Sequence, residues 1–355
     1  MKNLLIFFCF LLLSCSQTKD AIKVQYTPSS GVKLLSSSVF DDIEIIPLHG
    51  EMMPVLKPWC SMIVQNDTYY ISSDIVHLFD MNGKYLKSIG TNGRGPREFM
   101  YISNTTIEEN GDISVYSSPE GLMFHYSPQG KFLGTTDYKS KAVALAIANG
   151  FKYHFFGNGR SPAFQLFVTD DQDKVIGSYW PSSPVQNLII SPVFSEYNDT
   201  LILCPPYGGE IYKLFDGNVE VSYTFDFGAY EFPDEYFQGA NNRGLNYLMN
   251  NRVAIKNMFF ENQKYAFLQV LISDSGNNSE RMLYGILEKA TSTWEWHYMN
   301  DDDFMSHYNL KFIDDSYVYF MAEPELMKEA GLADRFPILN TLSINDGMVI
   351  LKCKK

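Results

Sequence analysis

The stretch SIGTNGRGPREFMYI, residues 88–102, sets Arg94, Arg97 and Glu98 among Gly90, Gly93, Gly95 and Pro96. Guanidinium groups on a glycine-rich turn can fork onto an anionic or hydroxylated ligand, or pair with a neighbouring carboxylate and simply hold two segments together. Five further Gly-, Ser- or Pro-rich segments carry comparable chemistry: SSD (72–74), SSPEG (117–121), GNGRSP (157–162), PPYGGE (205–210) and SDSGNNSER (273–281). They supply Glu120, Arg160, Tyr207, Glu210 and Arg281. With Arg94, Arg97 and Trp180 these form the candidate ligand-binding set, in which guanidinium forks would work beside stacked aromatics. For the arginines as a class, bracing is the favoured reading. Glu98 assigns Arg97 to charge pairing, and the glycines on either side of Arg94 leave it open to a ligand.

Catalytic patterns are absent. The chain has no G-x-S-x-G, no H-E-x-x-H and no glycine loop opening a helix to cradle phosphate. Its histidines, His49, His77, His125, His154, His297 and His307, have no metal-ligand spacing and read as strand or loop residues. The acidic run NDDDF (300–304) could attract a divalent cation such as calcium, but it lacks the ligand alternation and glycine of a calcium loop and reads as a solvated junction. DDQD (170–173) reads as a hairpin turn, and Trp294 and Trp296 alternate on a strand and so share one sheet face. No cofactor is expected. Cys60, Cys204 and Cys353 are far apart, without C-x-x-C, and are expected as buried free thiols with at most one disulfide.

The elements that must position these residues repeat. YYISSDIVHLFDMNGKYLKSIG (69–90) reads strand, small-residue loop, strand, turn, strand, and the same order recurs at 113–135, 154–180 and 201–228. The turns fall at Gly83, Gly130, Asp173 and Gly217, a period of about 45 residues, which marks an all-β chain built as a β-propeller with four antiparallel strands per blade. Residues 229–258 break the period and read as an insertion between blades. YAFLQVLIS, RMLYGILEK and TWEWHY then make a fifth blade, and NLKFIDD, SYVYFMA and MVILKCKK supply three strands of a sixth. A three-stranded last blade would leave an open edge, so the strand at 43–49, IEIIPLH, is expected to close the ring as the sixth blade's outer strand. In such a ring the blade junctions and the loops between second and third strands gather on one face, around the central funnel.

The N-terminus gives location. Residues 1–14 carry Lys2 and then an apolar run typical of a signal peptide core and too short to span a bilayer. LLSC, ending at Cys15, resembles a bacterial lipobox, which implies lipidation of Cys15 and anchoring through several acyl chains. Residues 15–39 then read as a lipidated tether and 40–355 as the propeller. Ser16 in place of Asp favours the outer membrane, facing the periplasm or the surface. The formal net charge of −13 makes nucleic acid an unsuitable partner. Aromatics at 15% with 19% charged residues supply ample core.

The turn NGKYLKSIG followed by GRGPREF is similar to the blade junction of NHL-like or TolB-like repeats. With IEIIPL and the lipobox, the chain resembles six-bladed β-propeller lipoproteins of Gram-negative bacteria, most of which have no assigned activity. Two readings of function stand: a monomeric binding module presenting its funnel face to a glycan, peptide or partner protein, or a metal-assisted hydrolase or lyase of the propeller type.

Overall fold

The computed structural model describes residues 22–23, 32–35, 38–51, 53–57, 59–156, 164–181, 193–198, 200–233, 235, 247, 250–274, 279–298, 308–343 and 347–355, of which 32, 33, 273, 274, 279–281 and 308 are described by backbone alone. The chain begins with β1 (Ile22–Lys23), β2 (Val32–Lys33) and β3 (Asp42–Pro47). Blade 1 is β4 (Ser61–Gln65), β5 (Thr68–Ser72), β6 (Val76–Asp80) and β7 (Tyr85–Ile89). Blade 2 is β8 (Asn104–Ile107), β9 (Ile113–Ser117), β10 (Leu122–Tyr126) and β11 (Phe132–Asp137). Blade 3 is β12 (Ala144–Ala148), β13 (Phe151–Phe155), β14 (Phe164–Thr169) and β15 (Val175–Pro181). Blade 4 is β16 (Phe194–Tyr197), β17 (Thr200–Leu203), β18 (Glu210–Phe215) and β19 (Asn218–Asp226). Blade 5 is β20 (Arg252–Glu261), β21 (Tyr265–Asp274), β22 (Ser279–Glu288) and β23 (Thr293–Tyr298). Blade 6 is β24 (Tyr308–Ile313), β25 (Tyr317–Ala322) and β26 (Val349–Lys354), completed by β3. The molecule is a six-bladed β-propeller.

The strand pattern follows from each blade being sandwiched between two others. Second strands are buried on both faces, and most carry a large buried aromatic: Tyr69, Tyr116, Tyr153 and Tyr319 are all nearly inaccessible. Outermost strands alternate instead, as in β11, where half-buried and exposed residues take turns before the strand runs out into solvent. Each of the six gaps between neighbouring blades contains its own hydrophobic cluster. The thinnest, between blades 2 and 3, holds Tyr116, Met123 and Leu145 with Tyr138 packed against them.

The turns between third and fourth strands repeat one device. The Asp80 carboxylate accepts the amides of Asn82 and Lys84, Asp170 does the same for Gln172 and Lys174, and the Ser127 hydroxyl serves Gln129 and Lys131. At Gly83 the backbone has φ +81°, and a Cβ there would come within 2.3 Å of the Pro47 carbonyl oxygen, so this position tolerates only glycine. DDQD is such a turn, with Asp173 at φ 63° standing where blades 1, 2 and 4 have glycine.

Ring closure is as the sequence implied. β3 pairs antiparallel with β26 from Asp42 opposite Lys354 to Pro47 opposite Val349. The N-terminal segment does more than serve as a tether, because β1 adds to the edge of β19 and β2 to the edge of β23, both in parallel. Leu34, Leu35, Val39 and Phe40 are then buried in the cluster shared by blades 5 and 6.

The antiparallel order puts blade junctions and second-to-third loops on one face, termed upper, and the first-to-second and third-to-fourth hairpins on the lower face. Two upper-face features differ from the sequence expectation. Of the segment 229–258, Arg252–Met258 belongs to β20, the innermost strand of blade 5, while 228–230 forms a 3-10 turn. The loop expected at 273–281 is largely strand: β21 and β22 pair as far as Asp274 opposite Ser279, because three ten-residue strands of blade 5 extend upward beyond β23. In blade 6 the second-to-third connection carries α1 (Pro324–Glu329) and a 3-10 turn (Pro337–Thr341), which bury Met327 and Leu339.

Candidate functional site

The junction between β7 and β8 is built by Glu98. Its carboxylate accepts the Gly95 amide at 2.8 Å, Glu98 N donates to the Gly95 carbonyl, and Gly93 N donates to Phe99 O. A Cβ on Gly93 would lie 2.0 Å from Glu98 Oε2, and one on Gly95 2.9 Å from the carboxyl carbon. These two glycines therefore make room for a carboxylate, and of the three only Gly90, at φ +86°, supplies left-handed backbone. Phe99 anchors the turn in the core, edge-on to Phe124 at 5.5 Å.

Glu98 does not pair with Arg97. Arg97 is exposed and places its guanidinium 5.5 Å from the centre of the Phe132 ring on β11, so it braces the junction through a cation–π contact. Arg94 is exposed, and no ion pair among the described residues involves it. It stands over a shallow groove of about 530 Å³, lined on the junction side by Gly95, Pro96, Glu98 and Met100 and on the blade 2 side by Glu120, Leu122 and Phe124. Glu120 ties the two sides: it accepts the Met100 amide at 2.9 Å and the Ser117 hydroxyl. Both carboxylates of the groove are thus engaged by the protein's own donors, and the guanidinium is its uncommitted charge.

The remaining candidates do not converge there. Trp180, on β15 with φ 53°, packs 4.5 Å from the Tyr212 ring across the gap between blades 3 and 4, toward the rim. Tyr207 is buried against Phe232, and burial pushes its hydroxyl pKa up to about 12. Glu210 begins β18, where its carbonyl accepts the Lys256 ammonium. Arg281 belongs to β22 opposite Ile272, not to a loop. Arg160, the NDDDF run and Cys15 lie outside the described residues. The groove is lined by the junction and by the second-to-third loop and third strand of blade 2. Arg94 therefore sits off the ring axis, between blades 1 and 2.

Several groups with apparent chemistry are structural. His77 bonds Ser88 at 2.7 Å, His125 bonds Ser114 at 3.0 Å and His154 bonds Ser140 at 3.1 Å, each without a carboxylate orienting the ring. Burial lowers the pKa of His77 and of His154 to about 4, so both are neutral at pH 7. Trp294 and Trp296 stack at 5.9 Å on the shared sheet face read from the sequence and meet Phe225 across the gap between blades 4 and 5. Cys60, Cys204 and Cys353 are buried free thiols. Among the described residues no group of three His, Cys, Asp or Glu side chains is arranged to hold a metal.

Two lysines escaped sequence reading. Lys256 on β20 and Lys311 on β24 are buried on innermost strands and donate across blades to the carbonyls of Glu210 and Cys60. Burial pulls the Lys256 pKa down to about 8, and that of Lys311 also falls. Their signal was a lysine within a largely apolar run, VAIKNMFF and NLKFI; both lie at bulges, where the ladder shifts by one residue.

The chain matches, over residues 20–354, the family described as a domain of unknown function, DUF4934. It belongs to that family. Among solved structures, this DUF4934 chain is similar to a protein described as exported from Bacteroides fragilis, with 14% identity, a TM-score of 0.76 and coverage of 94% of this chain and 99% of that one. It is also similar to a DUF4221 family member from Bacteroides vulgatus, with 11% identity, a TM-score of 0.56 and coverage of 89% and 97%. A virginiamycin B lyase from Staphylococcus aureus is similar at 8% identity and a TM-score of 0.43, covering 88% and 99%. At these identities the likeness concerns the fold alone. No curated protein matches the chain.

Proposed function

We propose that this DUF4934 protein is an envelope lipoprotein, anchored to the outer membrane through Cys15, that acts as a binding module. Its site is the Arg94 groove on the upper face, and its ligand is a glycan, peptide or partner protein presenting an anionic or densely hydroxylated group to the guanidinium and an apolar surface to Met100 and Leu122. The observation that carries this reading is the uncommitted state of Arg94: a cation with no carboxylate partner among the described residues, over a groove whose own acids already hold backbone amides. In a protein of net charge −13, a local cation is what lets an anionic group approach at all.

The test is a panel of acidic and neutral oligosaccharides and peptides screened against the parent and Arg94→Gln. The parent should retain at least one acidic member with an affinity that falls as salt rises, and Arg94→Gln should lose it without a change in melting temperature. Equal retention by both proteins would defeat the assignment. Anchoring is tested separately: Cys15→Ala should leave the membrane fraction or remain unprocessed, and a variant still membrane-bound with a normal mature N-terminus would refute lipidation.

A further inference from the structure

The path of the N-terminal segment constrains how the ring meets its membrane, given the Cys15 anchor proposed above. Ile22 and Lys23 pair with Phe225 and Asp226 at the upper end of β19, the outermost strand of blade 4. The pairing is parallel and β19 runs toward the upper face, so the backbone enters Ile22 from the direction of the lower face. Seven peptide units separate Cys15 from Ile22, and at full extension they reach about 25 Å. The stretch of β19 from Phe225 down to Asn218 spans about 23 Å at strand rise. A lipid on Cys15 therefore cannot stray far from the edge of blade 4.

That edge is also where apolar side chains face outward. Val221 on β19 is 54% exposed, and Val175 and Ile176 at the lower end of β15 are 52% and 46% exposed. The Ile176 Cδ1 lies beside the lower turn of blade 4, close enough that a Cβ on Gly217 would meet it at 2.7 Å, which makes the blade 3 and blade 4 residues neighbours across the gap. Exposed Asp171, Asp216 and Glu220 flank them, against one exposed lysine, Lys174, beside Val175. Apolar tips between carboxylates fit a surface of zwitterionic headgroups better than an anionic one.

We propose that the lower rim of blades 3 and 4 rests on the lipid surface holding the anchor, with Val175, Ile176 and Val221 in contact with it. The Arg94 groove, at the junction of blades 1 and 2 on the upper face, is then turned away from the membrane. The ring is oriented by a short strap, and its binding face is presented outward.

The experiment uses the full-length lipidated protein in phosphatidylcholine–phosphatidylethanolamine vesicles containing a nitroxide-labelled lipid. Single variants Ile176→Cys, Val221→Cys and Met100→Cys each carry a fluorophore, and the three remaining native thiols are buried and do not compete. Quenching should be several-fold stronger at 176 and at 221 than at 100, and doping with anionic lipid should weaken it at low salt. Equal quenching at all three positions, or stronger quenching at 100, overturns the proposal. So does protection of 176 and 221 without quenching in a protein whose mass rises with concentration, which would assign the patch to a second copy. Failure of the parent to float with vesicles would refute the anchor itself, a result distinct from flotation without positional contrast, which refutes only the orientation.

Discussion

Arg94 and Arg97 stand on one turn and have different fates because of what lies beside each. Arg97 faces the Phe132 ring, Arg94 faces an open groove, and Glu98 between the two elements turns back onto Gly95. Stability should rank these residues in the opposite order to their apparent chemical interest. Glu98→Ala leaves a half-buried turn amide without its acceptor and should cost about 1 to 3 kcal/mol. Arg97→Gln loses a surface cation–π contact and should cost about 0.5 to 1 kcal/mol. Arg94→Gln should stay within about 0.5 kcal/mol of the parent. Denaturant titration of the three variants checks the ranking, and Arg94→Gln emerging as the most damaging would show that it braces the ring. The arginines were legible in the sequence. The partner of Glu98 was not, because a carboxylate's choice between an adjacent guanidinium and a backbone amide depends on how the turn folds back on itself.

At the scale of elements, the ring relies on its seams and on the strand that closes it. A chain beginning at Glu51 would lack β1, β2 and β3 and would expose the edge of β26 at Ile350, Leu351 and Cys353, all now fully buried. It should lose cooperative melting or melt far below the parent, and a truncated chain with the parent's transition would show that β3 is dispensable. The seam between blades 4 and 5 has a second fastening: the buried Glu261 carboxylate meets Lys289 at 2.8 Å and Lys213 at 3.5 Å and accepts the Tyr223 hydroxyl. Glu261→Gln should destabilise by about 1 to 3 kcal/mol, less than a fully buried ion pair would lose because both lysines are partly exposed. A negligible change in the denaturation midpoint would mean the lysines find solvent without loss. The thin seam between blades 2 and 3 should be the first to open, seen as the fastest amide exchange among the inter-blade strands at β11 and β12. Closure by the N-terminal strand could be read from a missing fourth strand. Blade 5's extended strands could not, since β20 alternates too weakly to be told from an insertion.

For the molecule as a whole, acid sensitivity follows from its buried histidines. Burial holds His77 and His154 neutral down to about pH 4, whereas in the unfolded chain they protonate near 6.5. Between those values the unfolded state binds more protons, so stability is full above pH 6.5 and falls as pH drops toward 4, by up to about 3 kcal/mol for each histidine. Carboxylates add to acid loss, so the informative comparison is with His154→Gln. Its melting temperature should decline less steeply than the parent's from pH 6.5 to 4.5, and parallel curves would remove His154 from the account.

Architecture was legible from the chain alone because it is written in local terms. A repeat of about 45 residues, turn residues at matched offsets and one blade short of a strand specify a six-bladed ring wherever each blade must bury both faces. The candidate set was only partly legible for the same reason. Arg94 and Glu120, in adjacent connections on one face, came together, while Trp180, at the end of a strand unit, and Tyr207, read from a loop of like composition, became packing between or beneath blades. Composition marks which loops share a face. Whether a side chain on that face points to solvent, into a seam or onto a backbone amide depends on the neighbouring blade, and that neighbour is supplied by tertiary structure.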